Sequence, residues 1–209
     1  MLQFSSKLPA QGVTIFSIMT ELAQRLNALN LSQGFPDFPA PAPLLEALCQ
    51  ATLNGHNQYP AGDGLLALRE QVALQFHRRD QIHLDPVTEI TITPGATIGI
   101  YCLIQALIRA EDEVIIFDPS YDSYAPSVQM VGAKAVHLNL LAPDFQVDWS
   151  QVKDAINDKT RMIIVNTPHN PSGAIWSRQD WLKLIELIQD RNIVVLSDEV
   201  YEHLVFDGQ

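Results

Sequence analysis

The segments DEVIIFDP (112–119), TRMIIVNTP (160–168) and NIVVLSDE (192–199) each contain an unbroken run of apolar, mostly β-branched residues. A strand made from such a run has no polar face to offer water, so both of its faces must be covered. Helical sequence separates the last two. Ser177 and Asp180 have the spacing of a capping box, and Trp181, Leu184, Ile185 and Ile188 fall on one helical stripe. Buried strands alternating with amphipathic helices predict an α/β fold, a mostly parallel sheet with helices on both faces.

The same alternation extends upstream. EITIT (89–93) reads as a strand running through Gly95 into a helix that ends near Ile108, and AKAVHLNL (133–140) reads as another strand. Helices are expected up to about Val131 and again after Asp148. Near the N-terminus, Ile15, Ile18, Met19, Leu22, Leu26 and Leu29 repeat at helical spacing over 12–29. Four prolines in QGFPDFPAPAP (33–43) then forbid helix, and two further helices are expected near 44–53 and 64–79. Between these two lies NGHNQYPAGDG (54–64), punctuated by three glycines and a proline.

Composition excludes some classes of function. With 24 acidic and 13 basic residues the formal charge is −11, the wrong sign for a nucleic-acid footprint. Cys49 and Cys102 fit no disulfide framework or zinc spacing and are read as free thiols. No apolar run reaches the length of a membrane span, and the first residues lack the pattern of a signal peptide, so a cytoplasmic protein is expected.

In parallel sheets ligands bind where the strands run out at their carboxyl ends. Three such ends carry chemistry. Thr93-Pro94-Gly95-Ala96-Thr97 enters a helix, whose first N–H groups and the Thr97 hydroxyl could hold a phosphate; a plain connection has the same appearance, and neither a Walker loop nor a GxGxxG fingerprint is present. Asn166-Thr-Pro-His-Asn-Pro-Ser-Gly173 forces a non-helical turn able to aim Asn170 inward. Asp198 ends the last apolar run; a carboxylate there caps a turn, pairs with an arginine or meets a protonated ring nitrogen. Glu199, Glu202 and His203 are read as surface residues rather than metal ligands.

Taken together, QGFPDF (33–38), NQYP (57–60), TPGAT (93–97), FDPSYDSYAP (117–126), NTPHNPSG (166–173) and SDEVY (197–201) resemble, in order and over nearly the whole chain, the aminotransferase class I/II family of fold-type-I pyridoxal 5'-phosphate (PLP) enzymes. FDPSYDSYAP and NTPHNPSG look most like the methionine and glutamine/kynurenine types. The resemblance implies PLP as cofactor, an amino acid and a 2-oxo acid as substrates, and a homodimer. It also implies an N-terminal arm and small-domain segment over 1–33 and a partial PLP-binding large domain over 34–209. By the resemblance, Asp198 pairs with the ring nitrogen, Asn170 and Tyr201 hydrogen-bond the ring 3-oxygen, and Tyr121 stacks on the ring. Gly95, Ala96 and Thr97 form the phosphate cup, and Tyr59 reaches the cofactor phosphate of a partner subunit. Gly34 and Phe35 close over the substrate carboxylate. Tyr121 and Tyr124 could alternatively be plain core aromatics, Tyr124 more so than Tyr121.

The family's Schiff-base lysine follows the SDEVY motif by a few tens of residues. The lysines here are at 7, 134, 153, 159 and 183, and none matches it. The expectation is a polypeptide carrying the cofactor side of a PLP site without the catalytic lysine, inactive by itself. Two alternatives stay open: a PLP-dependent carbon–sulfur β-lyase, sharing the same Asp, Asn and Tyr set, and a non-catalytic PLP-fold protein. The aminotransferase-like half of a transcription regulator is disfavoured, because the motif series begins near residue 30.

Overall fold

The computed structural model describes residues 5–8, 12–32, 34 and 36–206. They divide into two compact units, one from residues 10–92 and one from residues 93–206 with the described part of residues 1–9.

The first unit holds α1 (Ile15–Leu26), α2 (Ala42–Leu53) and α3 (Leu66–Asp80). Thr14 caps α1 by accepting the Ser17 N–H, and Asn27 ends it in the left-handed region at φ 49°. The helix is therefore shorter than the 12–29 periodicity implies, and Leu29 beyond it is 83% exposed. Arg69 organises the connection that follows. Its buried guanidinium reaches Asp63 at 2.9 Å and donates to the carbonyls of Gly64 and Pro86 at 3.2 and 2.7 Å. It thereby satisfies loop carbonyls that would otherwise lie desolvated.

The second unit runs α4 (Ala96–Leu107), β1 (Glu113–Asp118), α5 (Tyr124–Met130), β2 (Lys134–Asn139), α6 (Trp149–Ala155), β3 (Thr160–Asn166), α7 (Arg178–Ile188) and β4 (Val194–Asp198). The strands form one sheet in the order β2-β1-β3-β4, every pair parallel. Side chains alternate across the two central strands, as a pleat requires. Val114, Ile116, Met162 and Ile164 pack with Ile100, Ile104, Tyr124 and Val128 of α4 and α5. Ile115, Phe117, Ile163 and Val165 pack with Val152 of α6 and Leu184 of α7. Helices thus cover both faces, which confirms the α/β class.

The helix starts follow the sequence cues. Asp148 caps α6 by accepting the Ser150 and Gln151 N–H groups. Ser177 and Asp180 form the full capping box at α7, and Asp180 Oδ1 also accepts the Trp149 indole N–H at 3.1 Å, joining the two helix starts. The stripe on α7 needs one correction. Ile185 is 51% exposed, and Leu187 with Trp181 and Ile188 packs around Leu184 instead. A helix of 3.6 residues per turn carries two adjacent apolar positions to different sides, and the sheet below takes only one of them.

EITIT (89–93) is the larger departure. It pairs with no strand among the described residues, and the Ile92 N–H donates to the Asp63 carbonyl at 3.0 Å. β-Branched composition suits a strand, but a strand exists only as part of a ladder. Here loop carbonyls supply the partner.

Candidate functional site

The carboxyl ends of β1, β3 and β4 and the first turn of α4 surround a cavity of about 240 Å³. It is lined by Ala96, Thr97, Tyr121, Asn170, Asp198 and Tyr201, with Ile100, Tyr124, Asn166 and Val200 completing the wall. Six of the sequence candidates therefore meet in one place, although more than 100 residues separate Ala96 from Tyr201 in the chain.

Each is delivered by a different local device. Gly95 adopts φ 94°, where side chains are strained, and a Cβ built there meets nothing within 4 Å. The backbone consequently turns into α4 with open space beside it. The first-turn N–H groups of a helix have no intrahelical acceptors, so those of Ala96 and Thr97 are open to an outside acceptor. The Thr97 hydroxyl sits 3.5 Å from the Tyr121 hydroxyl.

The Asn166–Gly173 turn is held at both ends. Asn166, buried at the end of β3, donates from Nδ2 to the Asp198 carbonyl at 2.9 Å and accepts the Asn170 N–H on Oδ1 at 2.7 Å. Asn170 Nδ2 in turn points toward the Tyr201 hydroxyl at 3.5 Å. His169 is buried beneath the turn with Nδ1 2.6 Å from the Ser172 hydroxyl, and burial pulls its pKa below the ordinary histidine value.

Asp198 ends β4 half-buried. Its Oδ1 accepts the Val200 N–H at 3.2 Å, and its Oδ2 accepts the Tyr124 hydroxyl at 2.6 Å. A carboxylate can accept about four hydrogen bonds, so capacity for a cationic N–H remains. Burial first, and then Asp198, push the Tyr124 hydroxyl far above the ordinary tyrosine range, so it stays a donor.

Sequence reading missed two members of this wall. Tyr124 is buried, as a core aromatic would be, and its hydroxyl donates to Asp198. Asn166 went unremarked, although a lone amide closing an apolar strand was a usable signal. Other candidates lie elsewhere. Tyr59 and Gly34 belong to the 10–92 unit, where the Tyr59 side chain is 100% exposed. Phe35 lies outside the described residues. No group of three or more potential metal ligands occurs among the described residues, and no helix among them is long and apolar enough to cross a membrane.

Fold and cavity together define an α/β protein with a polar cavity at the carboxyl ends of a parallel sheet, lined by the first turn of α4, by tyrosines and by a carboxylate. The chain belongs to the aminotransferase class I and II family, whose model matches residues 27–209. It is 47% identical over 204 residues to a methionine aminotransferase of Escherichia coli, covering 98% of this chain and 53% of the relative. It is 32% identical over 207 residues to an aspartate aminotransferase of Bacillus subtilis, covering 98% of this chain and 52% of the relative. Among solved structures, the N-succinyldiaminopimelate aminotransferase of Mycobacterium tuberculosis superposes with a TM-score of 0.94 at 40% identity, over 99% of this chain and 54% of that one. An Escherichia coli protein with an identified methionine aminotransferase function superposes with a TM-score of 0.92 at 46% identity, over 97% of this chain and 53% of that one. The chain thus spans about half the length of the relatives it matches.

Proposed function

We propose that these residues form the cofactor side of a PLP-dependent aminotransferase that moves an amino group from a methionine, glutamine or aromatic type of amino acid to a 2-oxo acid. The observation that carries this reading is the half-buried Asp198 carboxylate, which lines one cavity with Tyr121, Asn170 and Tyr201 while the open first turn of α4 forms another part of its wall. The donor set fits the cofactor. When bound, PLP supplies a protonated ring that accepts the electrons of the substrate Cα–H bond.

In this reading Asp198 keeps the ring nitrogen protonated, because an ion pair in a partly dry site favours both charged forms. Asn170 and Tyr201 donate to the ring 3-oxygen. Tyr121 would stack on the ring and keep water from it. The Ala96 and Thr97 N–H groups and the Thr97 hydroxyl hold the phosphate at the start of α4, next to Gly95. Gly34 and Phe35 are assigned to the substrate carboxylate, and Tyr59 to the cofactor phosphate of the partner subunit in a homodimer. Full exposure of the Tyr59 side chain supports that last role.

We also assign no catalytic lysine to these residues. Lys134 and Lys159 lie at the amino ends of β2 and β3, the opposite pole of the sheet from the cavity, and no lysine lines the cavity. The 209-residue polypeptide alone is therefore expected to show no amino transfer.

The test has two arms. For the intact enzyme carrying this chain, methionine with a 2-oxo acid should give the matching 2-oxo acid and amino acid. Release of pyruvate and ammonia from a cysteine-type substrate without any 2-oxo acid would instead establish a carbon–sulfur β-lyase. For the polypeptide alone, borohydride trapping of PLP on any of its five lysines would overturn the assignment of the lysine elsewhere.

A further inference from the structure

The contact between Tyr124 and Asp198 extends the cofactor reading by one residue and rests on it. Tyr124 begins α5, is 2% exposed, and meets the Tyr121 ring edge-on with centroids 5.7 Å apart. Val128, one turn later, is fully buried in the same core. The ring is therefore fixed by packing, and its hydroxyl is delivered to Asp198 Oδ2 at 2.6 Å, a charge-assisted length. The titratable groups facing it are Asp198, Tyr121 and Tyr201.

We propose that Tyr124 is a positioning residue for the cofactor: its hydroxyl holds the Asp198 carboxylate in one orientation, so that the carboxylate is presented to the ring nitrogen. Geometry supports this: with Oδ2 engaged by Tyr124 and Oδ1 by the Val200 N–H, the carboxylate plane is pinned at both oxygens. Tyr124 acts through Asp198, since its own hydroxyl proton is already committed there.

The experiment uses the intact holoenzyme carrying this chain, loaded with PLP labelled with nitrogen-15 in the ring, whose chemical shift reports ring-nitrogen protonation independently of turnover. Asp198→Asn should move the signal to the neutral-pyridine position. Tyr124→Phe, which keeps the ring and its packing, should move it in the same direction, with the protonated-to-neutral ratio falling on the order of tenfold. If Asp198→Asn shifts the signal and Tyr124→Phe leaves it at the native position, the inference about Tyr124 is wrong while the cofactor reading stands. If Asp198→Asn also leaves it unchanged, the cofactor reading fails and takes this inference with it. Should Tyr124→Phe not fold, 3-fluorotyrosine at position 124, a stronger donor of nearly the same shape, decides the matter. It must raise the pH at which the ring signal turns neutral, opposite to Asp198→Asn, and an unchanged midpoint overturns the inference.

Discussion

Tyr124 and Asp198 lie 74 residues apart in the chain, yet the tyrosine hydroxyl donates to the aspartate Oδ2 at 2.6 Å. In the sheet order β2-β1-β3-β4, this contact spans from the helix after β1 to the end of β4, across the end of β3. Asn166 closes β3 at that point, bonded to the Asp198 carbonyl on one side and the Asn170 N–H on the other. Three strand ends are thereby tied together by side chains rather than by the sheet ladder alone.

Asn166→Ala should cost about 1–3 kcal/mol, because it leaves the Asn170 N–H without its acceptor in a buried turn. Denaturant unfolding at neutral pH measures this as a lower midpoint with an unchanged slope. PLP affinity should fall as well, since Asn170 loses its anchor. A midpoint equal to that of the native protein would show that the turn holds itself.

Acid should weaken the same turn through His169. Burial lowers its folded-state pKa below the ordinary histidine value of 6.5, so the unfolded chain takes up a proton first as pH falls. Its contribution is complete above about pH 6.5 and is lost as pH drops toward the folded-state value. The melting temperature of the native protein should fall between pH 7.5 and pH 5.5, and that of His169→Asn should fall less. Parallel pH profiles for the two proteins would remove His169 from the account.

Gly64 tests the 10–92 unit separately. It sits at φ 95°, and a Cβ added there would lie 2.6 Å from the Ile92 Cβ. Gly64→Ala combines left-handed strain with a steric clash, so a loss of about 1–3 kcal/mol is expected. Amide exchange should rise around Asp63 and Ile92, whose mutual hydrogen bond depends on this approach. Unchanged protection there would mean that the loop absorbs a methyl group freely.

The 209-residue polypeptide should self-associate through β4. That strand pairs only with β3 among the described residues, Val194 on it is 40% exposed, and Leu103 on α4 beside it is 48% exposed. An unpaired apolar edge is a template for a further strand. Light scattering of the polypeptide should show concentration-dependent association, and Val194→Lys should reduce it. A monodisperse native polypeptide at high concentration would contradict this.

Much of this molecule was legible from its residues. The runs VIIF, MIIV and IVVL required strands covered on both faces, and β1 and β3 have that burial. Ser177 with Asp180 and Asp148 marked helix starts, because capping depends only on neighbours within one turn. The motifs likewise singled out Tyr121, Asn170, Asp198 and Tyr201 after the ends of β1, β3 and β4, and Ala96 and Thr97 at the start of α4, and the fold brings all six to one cavity. What needed tertiary structure was every property set by a distant partner. EITIT has strand composition but no ladder among the described residues, because pairing depends on what lies alongside. Ile185 has the spacing of a core residue but lies in solvent, because the sheet fixes which side of α7 is covered. Tyr124 and Asn166 are tied to Asp198 by hydrogen bonds over 74 and 32 residues of chain, and pairing at that distance is set by packing. The sequence by itself determined which groups sit at the strand ends, since that follows from periodicity and local bonding; the tertiary structure alone decided which of them touch, since hydrogen bonds between remote residues form only when packing brings them within reach.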